Sequence, residues 1–349
     1  MRFEIGGRPV GEGAPTFVIA EIGVNHDGEV GRALELVDAA AWAGASAVKL
    51  QTLVAERLVA PSAPAPAHVQ AKSLREFFAR FELGVDAHRA IIARARSRGL
   101  AVLSTPLSED AVPMLDELGI DGFKIASGDV TFDGLIAAAA ATGRPLVVST
   151  GMSTLEESER ALSIARHAGA TDVAVLHCVS AYPAPAESQN LLALMTLGDC
   201  LQVPVGLSDH ARDGMVSAVA ATVLGACIYE RHIMLDHTPD VIDHEVSSTP
   251  AQLKAIVAAI GQTRSSLGDG QKILQPAEAA NLVPSRRGLY AARNLRAGHR
   301  ITAEDVIALR PYNGLSPADL PLLLNTVVPR EIAAGTSFFV KDIALPRAS

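Results

Sequence analysis

Eight short apolar runs alternate with Ala-rich segments over the first three quarters of the chain, and this alternation constrains the fold more than any other feature. The runs are TFVIAEIG (16–23), SAVKLQT (46–52), AVLSTP (101–106), GFKIAS (122–127), PLVVST (145–150), VAVLHCV (173–179), PVGLSDH (204–210) and CIYERHIM (227–234). The gaps carry helical spacing, for example over 30–43, 86–98, 154–168, 212–225 and 250–267. Eight strand–helix repeats predict an α/β fold of the (β/α)8 type, a TIM barrel. A doubly wound open sheet is the competitor. It would want a glycine-rich phosphate turn after its first strand, and AEIGVNHDG is not G-x-G-x-x-G.

Each run begins apolar and ends polar. The ends are Glu21, then Lys49 and Gln51, Thr105, Lys124 and Ser127, Ser149 and Thr150, His177, Ser208 with His210, and Glu230 with His232. In a barrel such ends converge on one rim, where active sites sit. Burying an ionised group costs several kcal/mol unless it is paired or bound. The Glu-Arg-His triplet in the last run therefore needs a reason, and Glu230 and His232, two residues apart, share a face. A polar pocket common to all eight strands would accommodate them.

Three sets of groups could do chemistry. His210 and His232 end neighbouring strands, close enough to share a divalent ion, with Asp209 and Glu230 beside them; each could equally be a hydrogen-bonded barrel histidine. Glu230 could accept from a metal-bound water or orient an imidazole. Lys49 and Lys124 suit either a Schiff-base nucleophile or an anion partner. With Thr105, Ser127, Ser149 and Ser208 they form a cradle for a compact polyanion such as a phosphorylated carboxylate. Each charge contact at about 4 Å gives roughly 4 kcal/mol at an effective dielectric near 20, before desolvation. Glu21, Gln51, Asp129, Tyr182 and Asp243 supply the hydrogen-bonding groups that a polyhydroxylated substrate needs.

The 349 residues suggest one large domain and a small one. Residues 1–268 are expected to form the barrel and 269–285 a linker, extended in conformation. Residues 286–349, with short runs between Ala-Gly and Asn-Gly turns, suggest a small β-rich domain. Loop 59–70, rich in Pro and Ala, is a surface excursion or a lid. The net charge of -8 gives no basic footprint for nucleic acid. The opening MRFEIGGRPVGEG has no charged-then-apolar secretory pattern, and the apolar helical run near 216–228 is too short to span a membrane. Cys178, Cys200 and Cys227 read as reduced core thiols. The expectation is a soluble cytoplasmic protein.

The motifs IAEIGVNHDG, VKLQT, FKIASGD, STGM, LHCVSAYPAP, GLSDH, ERHIMLD and DHEVSSTP occur in the order found in the sialic acid synthase family. The chain resembles these phosphoenolpyruvate-dependent nonulosonate synthases from about residue 15 onward, and the second domain resembles their SAF (antifreeze-like) domain. The resemblance implies a condensation of phosphoenolpyruvate with an acylated mannosamine-type sugar, releasing phosphate. It implies Lys49, Thr105, Lys124, Ser127, Ser149, Ser180 and Ser208 on phosphoenolpyruvate, and His210 and His232 on a divalent ion, Mn2+ above Mg2+ or Co2+. Gln51, Asp129, Tyr182 and Asp243 would meet the sugar, with Glu21 near the reacting carbons. Arg310, in RPYNG, would reach the sugar's acyl group from a partner subunit, which implies a domain-swapped homodimer.

Four positions depart from the commonest bacterial pattern: Asp129 for Glu, Ser180 for Asn, Tyr312 for Gly, and VSSTP for ASLEP. They bear on the sugar, which stays open between N-acetylmannosamine, its 6-phosphate and the diamino-dideoxy hexoses leading to legionaminic or pseudaminic acid. Two other readings compete. One is a Schiff-base aldolase using Lys124 or Lys49; the other is an ice- or glycan-binding module on an inactive barrel.

Overall fold

The computed structural model describes residues 1–64, 71–238 and 240–342. It divides into two units, the first Met1–Gly268 and the second beginning at Asp269. Eight parallel strands of the first unit run in chain order around a barrel: β1 (Phe17–Gly23), β2 (Ala47–Thr52), β3 (Ala101–Pro106), β4 (Gly122–Ile125), β5 (Leu146–Ser149), β6 (Val173–Cys178), β7 (Val205–Asp209) and β8 (Ile228–Ile233). The ring closes because β8 pairs with β7 on one side and β1 on the other. The helices between and after the strands are α1 (Val30–Ala43), α2 (Val85–Ser97), α3 (Ala111–Glu117), α4 (Asp133–Ala141), α5 (Leu155–His167), α6 (Ala193–Leu201), α7 (Gly214–Val223) and α8 (Pro250–Leu267), with two shorter helices, Ala55–Leu58 and Leu74–Ala79, between β2 and α2.

Strand alternation sorts the side chains. Phe17, Ile19, Ala47, Leu103, Val147, Leu176 and Ile228 fill the barrel interior. Their sequence neighbours Val18, Ala20, Val48, Val102, Val148, Val175 and Tyr229 pack outward under the helices. The interior is thus a dry plug at one end, and the polar positions follow one or two steps further along each strand.

An N-terminal hairpin, Arg2–Ile5 with Arg8–Gly11, was not anticipated. It adds Ile5 and Val10 to the interior plug at the end away from the polar rim. The signal was present: Gly6 and Gly7 adopt φ of 57° and 72°, the pair of left-handed residues that a tight two-residue hairpin requires.

In the second unit, antiparallel strands Gly288–Ala291 and Val306–Leu309 lie over a core that includes Leu289, Ile301, Leu323, Ile332 and Phe338. The segment expected to be extended instead holds a helix, Ala279–Ser285, preceded by a turn at Pro276–Glu278. A reciprocal cap between Gln275 and Glu278, with Pro276 next to it, starts that helix. Cys178 and Cys227 are buried, but Cys200 is exposed, off the Leu194, Leu197 and Leu201 stripe that α6 buries. Residues 65–70 of the candidate lid and 343–349 of the second domain lie outside the described residues. Among the described residues no helix is long and apolar enough to cross a membrane.

Candidate active site

Strand register brings the rim groups together. Glu21 of β1 stands level with Lys49 of β2 and with His232 of β8, and Glu230 stands level with Ser208 of β7. Side chains level on neighbouring strands and on one face are in contact, so each of these pairs can interact directly.

Two buried lysines share one carboxylate. Lys49 Nζ lies 3.5 Å and Lys124 Nζ 3.7 Å from Glu230 Oε1, which also accepts from Ser208 Oγ at 3.0 Å. Lys49 is ion-paired to Glu21 as well, and donates to Thr105 Oγ1 at 3.3 Å. All four charged residues are at most 4% exposed. Burial works against the Lys49 ammonium, but Glu21 and Glu230 outweigh it and hold its pKa up. Burial wins at Lys124, whose pKa is lowered although Glu230 opposes the shift. Glu230 itself is held down to about 2, because Lys124 and Lys49 overcome the burial that would raise it.

Around this floor, polar groups wait for a partner. Ser149 Oγ and Glu230 Oε2 are buried and lack a hydrogen-bond partner among the described residues. Buried polar atoms are rarely left so unless a ligand or water meets them. Beside them Ser127 Oγ accepts from the Gly151 backbone N–H at 2.9 Å. A Cβ at Gly151 would collide with Ser180 Oγ and lie 2.8 Å from Ser127 Oγ and 3.2 Å from Cys178 Sγ. Two serines from different loops therefore converge on this glycine, and a side chain there would displace their hydroxyls. The half-buried Asp129 follows in the turn Ser127–Asp129, where burial raises its carboxyl pKa.

The ring centroids of the two histidines are 5.6 Å apart. His210 Nδ1 lies 3.1 Å from the Val179 carbonyl, an acceptor only, so Nδ1 is the nitrogen that donates there. His232 Nδ1 faces Asp243 Oδ2 at 3.2 Å. It is Asp243, rather than Glu230, whose carboxylate stands against an imidazole; Glu230 serves the lysines. The Tyr182 ring stacks on His210 at 4.2 Å between centroids. Gln51 Nε2 approaches Glu21 Oε1 at 3.5 Å.

Not every strand-end residue joins this site. His177 faces away from the barrel axis, between the inward Leu176 and Cys178, and its Nε2 contacts the Gln189 carbonyl. Thr150 Oγ1 donates to the Leu176 carbonyl. Arg310 is exposed in the second unit, directly after Val306–Leu309. Sequence reasoning missed two participants. Cys178 lies 3.6 Å from His210 Nδ1, and its thiol pKa is lowered because His210 and Ser127 outweigh burial. Asn25 donates to Ile233 O and Ser247 Oγ at 2.9 Å each, pinning the loop after β1 to the Asp243–Ser248 segment. The polar cluster in GVNHDG, directly after a strand end, was the available clue.

Over 308 residues the chain is 35% identical to the N,N'-diacetyllegionaminic acid synthase of Campylobacter jejuni, covering 86% of this chain and 92% of that one. It is 30% identical over 334 residues to the pseudaminic acid synthase of Helicobacter pylori, covering 94% and 98%. The crystal structure of the N-acetylneuraminic acid synthetase of Leptospira borgpetersenii, in complex with citrate, superposes with a TM-score of 0.73 at 31% identity, over 80% of this chain and 95% of that one. The NeuB family matches residues 36–272, more than half of the chain, and the SAF domain matches 286–344. The chain belongs to the NeuB family and carries a SAF domain after its barrel.

Proposed function

We propose that the protein condenses phosphoenolpyruvate with an N-acylated mannosamine-type sugar, or a related diamino-dideoxy hexose, to a nonulosonic acid and phosphate. The observation that carries this reading is the pair of buried ammonium groups, Lys49 and Lys124, meeting at Glu230 beneath two imidazoles. The relatives' synthase activities support it.

Phosphoenolpyruvate is a compact polyanion. Lys49 and Lys124 would hold its charge, and Thr105, Ser127, Ser149, Ser180 and Ser208 would supply hydroxyls, with Ser149 already lacking a partner. The methylene carbon then attacks the aldehyde carbon of the open-chain sugar, whose oxygen takes up a proton to become a hydroxyl. The positive centre left on the enol carbon accepts water. The resulting tetrahedral carbon expels phosphate by breaking its carbon–oxygen bond, and the ketone of the product forms. Glu21, next to Lys49 and Gln51, is the group placed to hold or move a proton at the attacking water. Gln51, Asp129, Tyr182 and Asp243 would orient the sugar, and Arg310 of a second copy would complete the site in a domain-swapped homodimer.

His210 and His232 fit a divalent ion such as Mn2+: Val179 engages the Nδ1 of His210, while Asp243 stands 3.2 Å from the Nδ1 of His232, a buried nitrogen without a hydrogen-bond partner among the described residues. Among the described residues no group of three His, Cys, Asp or Glu is spaced for a metal, so water and substrate would complete the shell. When bound, the ion would supply Lewis-acid polarisation of the aldehyde oxygen.

A second reading, a Schiff-base aldolase, draws on the lowered pKa of Lys124. The test is phosphate release from phosphoenolpyruvate with Mn2+ across acylated mannosamines, their 6-phosphates and diamino-dideoxy hexoses, with a chelator control. Release with one sugar, lost on chelation, is expected. Silence across the panel together with a borohydride-trapped Lys124 adduct would replace the proposal with the aldolase.

A further inference from the structure

The rim chemistry occupies alternate positions on β7 and β8: Ser208 and His210, then Glu230 and His232. The residues at the intervening and preceding positions, Asp209, Tyr229 and Arg231, point away from the barrel axis and are also buried, Arg231 to 1% exposure. A guanidinium shut off from water is costly unless every donor is matched, so its partners are informative. Arg231 Nε donates to Ser248 Oγ at 2.6 Å, Nη1 to the Ala211 carbonyl at 2.9 Å, and Nη2 to the Arg212 carbonyl at 3.2 Å. Asp209 Oδ2 lies 3.4 Å from Nη1 and accepts from Tyr229 Oη at 2.6 Å and Ser217 Oγ at 2.5 Å. Asp209 Oδ1 accepts the Ala211 backbone N–H at 2.8 Å.

The partners sit on separate pieces of chain, and each piece leads to the imidazole pair. Ala211 and Arg212 directly follow His210. Ser248 belongs to the two-residue strand whose Ser247 stands level with His232. The same segment begins at Asp243, which faces His232 and whose carbonyl accepts from Ser247 Oγ at 2.7 Å. One guanidinium therefore ties the segment after His210, the strand of His232 and the segment of Asp243 into one rigid unit. None of its contacts reaches the substrate side of the barrel.

We propose that Arg231, braced by Asp209 and Tyr229, is a positioning residue that sets the separation and tilt of the His210 and His232 rings, and through them the affinity for a divalent cation. This rests on the reading of His210 and His232 as the ion's ligands. The role is distinct from anion binding, because Lys49 and Lys124 hang from other strands and, among the described residues, no hydrogen bond or ion pair joins them to the network.

The test is Mn2+ titration followed by electron paramagnetic resonance on the whole chain without substrates, for wild type, His210→Ala, Tyr229→Phe, Ser248→Ala and Arg231→Lys. Thermal melts and phosphoenolpyruvate binding without metal run alongside. Wild type should bind Mn2+ saturably and His210→Ala should not. Tyr229→Phe and Arg231→Lys should bind Mn2+ about tenfold or more weakly, the scale of outer-shell substitutions, with phosphoenolpyruvate affinity unchanged. If Arg231→Lys fails to fold, Tyr229→Phe and Ser248→Ala decide by the same criterion. Mn2+ binding absent in wild type, or indifferent to His210→Ala, would remove the ligand assignment on which the inference stands. Mn2+ binding that needs His210 yet stays at wild-type strength in Tyr229→Phe and Arg231→Lys would overturn the positioning role itself. So would an equal loss of Mn2+ and phosphoenolpyruvate affinity, which signals general loosening.

Discussion

Replacing Glu230 by Gln leaves two buried ammonium groups and only one carboxylate to answer them. Lys49 keeps Glu21, but Glu230 is the one acidic side chain within ion-pair distance of Lys124 among the described residues. At 3.7 Å that contact amounts to about 4–5 kcal/mol at an effective dielectric near 20, before desolvation. A second route gives a similar figure. Glu230 is held from 4.5 down to about 2, and that depression contributes about 3 kcal/mol at neutral pH. Removing one partner of a buried pair typically costs about 3–5 kcal/mol, in line with both.

The loss has a ceiling, because Lys124 can shed its proton. Its pKa is already lowered by burial. Without Glu230 it falls further, and giving up a proton at pH 7 that the unfolded lysine holds to about 10.4 costs about 4–5 kcal/mol. The unfolded chain then binds more protons than the folded one, so stability of the variant rises with pH toward that value. Urea unfolding at pH 7 and pH 9.5 should therefore show a deficit of about 3–5 kcal/mol that narrows at the higher pH. Phosphoenolpyruvate, as a polyanion, should raise the melting temperature of the variant more than that of wild type. A variant within about 1 kcal/mol of wild type at pH 7, or a deficit that ignores pH, would refute this reasoning.

His26 is fully buried, its Nδ1 accepts from the Gly28 N–H, and burial, reinforced by His88, lowers its pKa from 6.5 to about 4. A depressed histidine stabilises above its unfolded pKa, so stability should fall from pH 6.5 toward pH 4, by about 3 kcal/mol from this residue; His26→Gln should flatten that part of the curve in urea titrations. Gly151→Ala places a methyl against Ser180 and Ser127; the KM for phosphoenolpyruvate should rise about tenfold or more while the thermal melt changes little, since flexible hydroxyls can give way. A melt that collapses with KM unchanged would count against the cradle. Arg310→Ala should raise the KM of the sugar more than that of phosphoenolpyruvate, and an equal effect on both would contradict sugar contact across subunits.

The barrel was legible because period-2 strands and 3.6-period helices leave direct marks, and because apolar-to-polar polarity along each run points to one rim. Lys49, Lys124, His210 and His232 could be named for that reason. Alternation fixes which face a residue takes, but not who stands across from it. Hence Glu230 reads from sequence as a partner for a metal-bound water or an imidazole, whereas register places Ser208 beside it and two lysines reach it. The same limit hid Arg231, whose partners Ala211, Arg212 and Ser248 lie 17 to 20 residues away in sequence. His177 was drawn to the rim by its position at a strand end, although its parity with Leu176 and Cys178 turns it outward. The hairpin at Arg2–Gly11 and the helix at Ala279–Ser285 are too short for periodicity to register; only turn and cap residues announced them.

In the proposed reaction a carbon–carbon bond forms while phosphate departs by carbon–oxygen cleavage. Phosphoenolpyruvate labelled with oxygen-18 in the bridge between carbon and phosphorus tests it directly, with mass spectrometry of both products after turnover with the accepted sugar and Mn2+. The label should leave in the phosphate, and the organic product should have the mass of the sugar plus a pyruvate unit. Label retained in the organic product, or a pyruvate adduct on Lys124 in place of free phosphate, would contradict it.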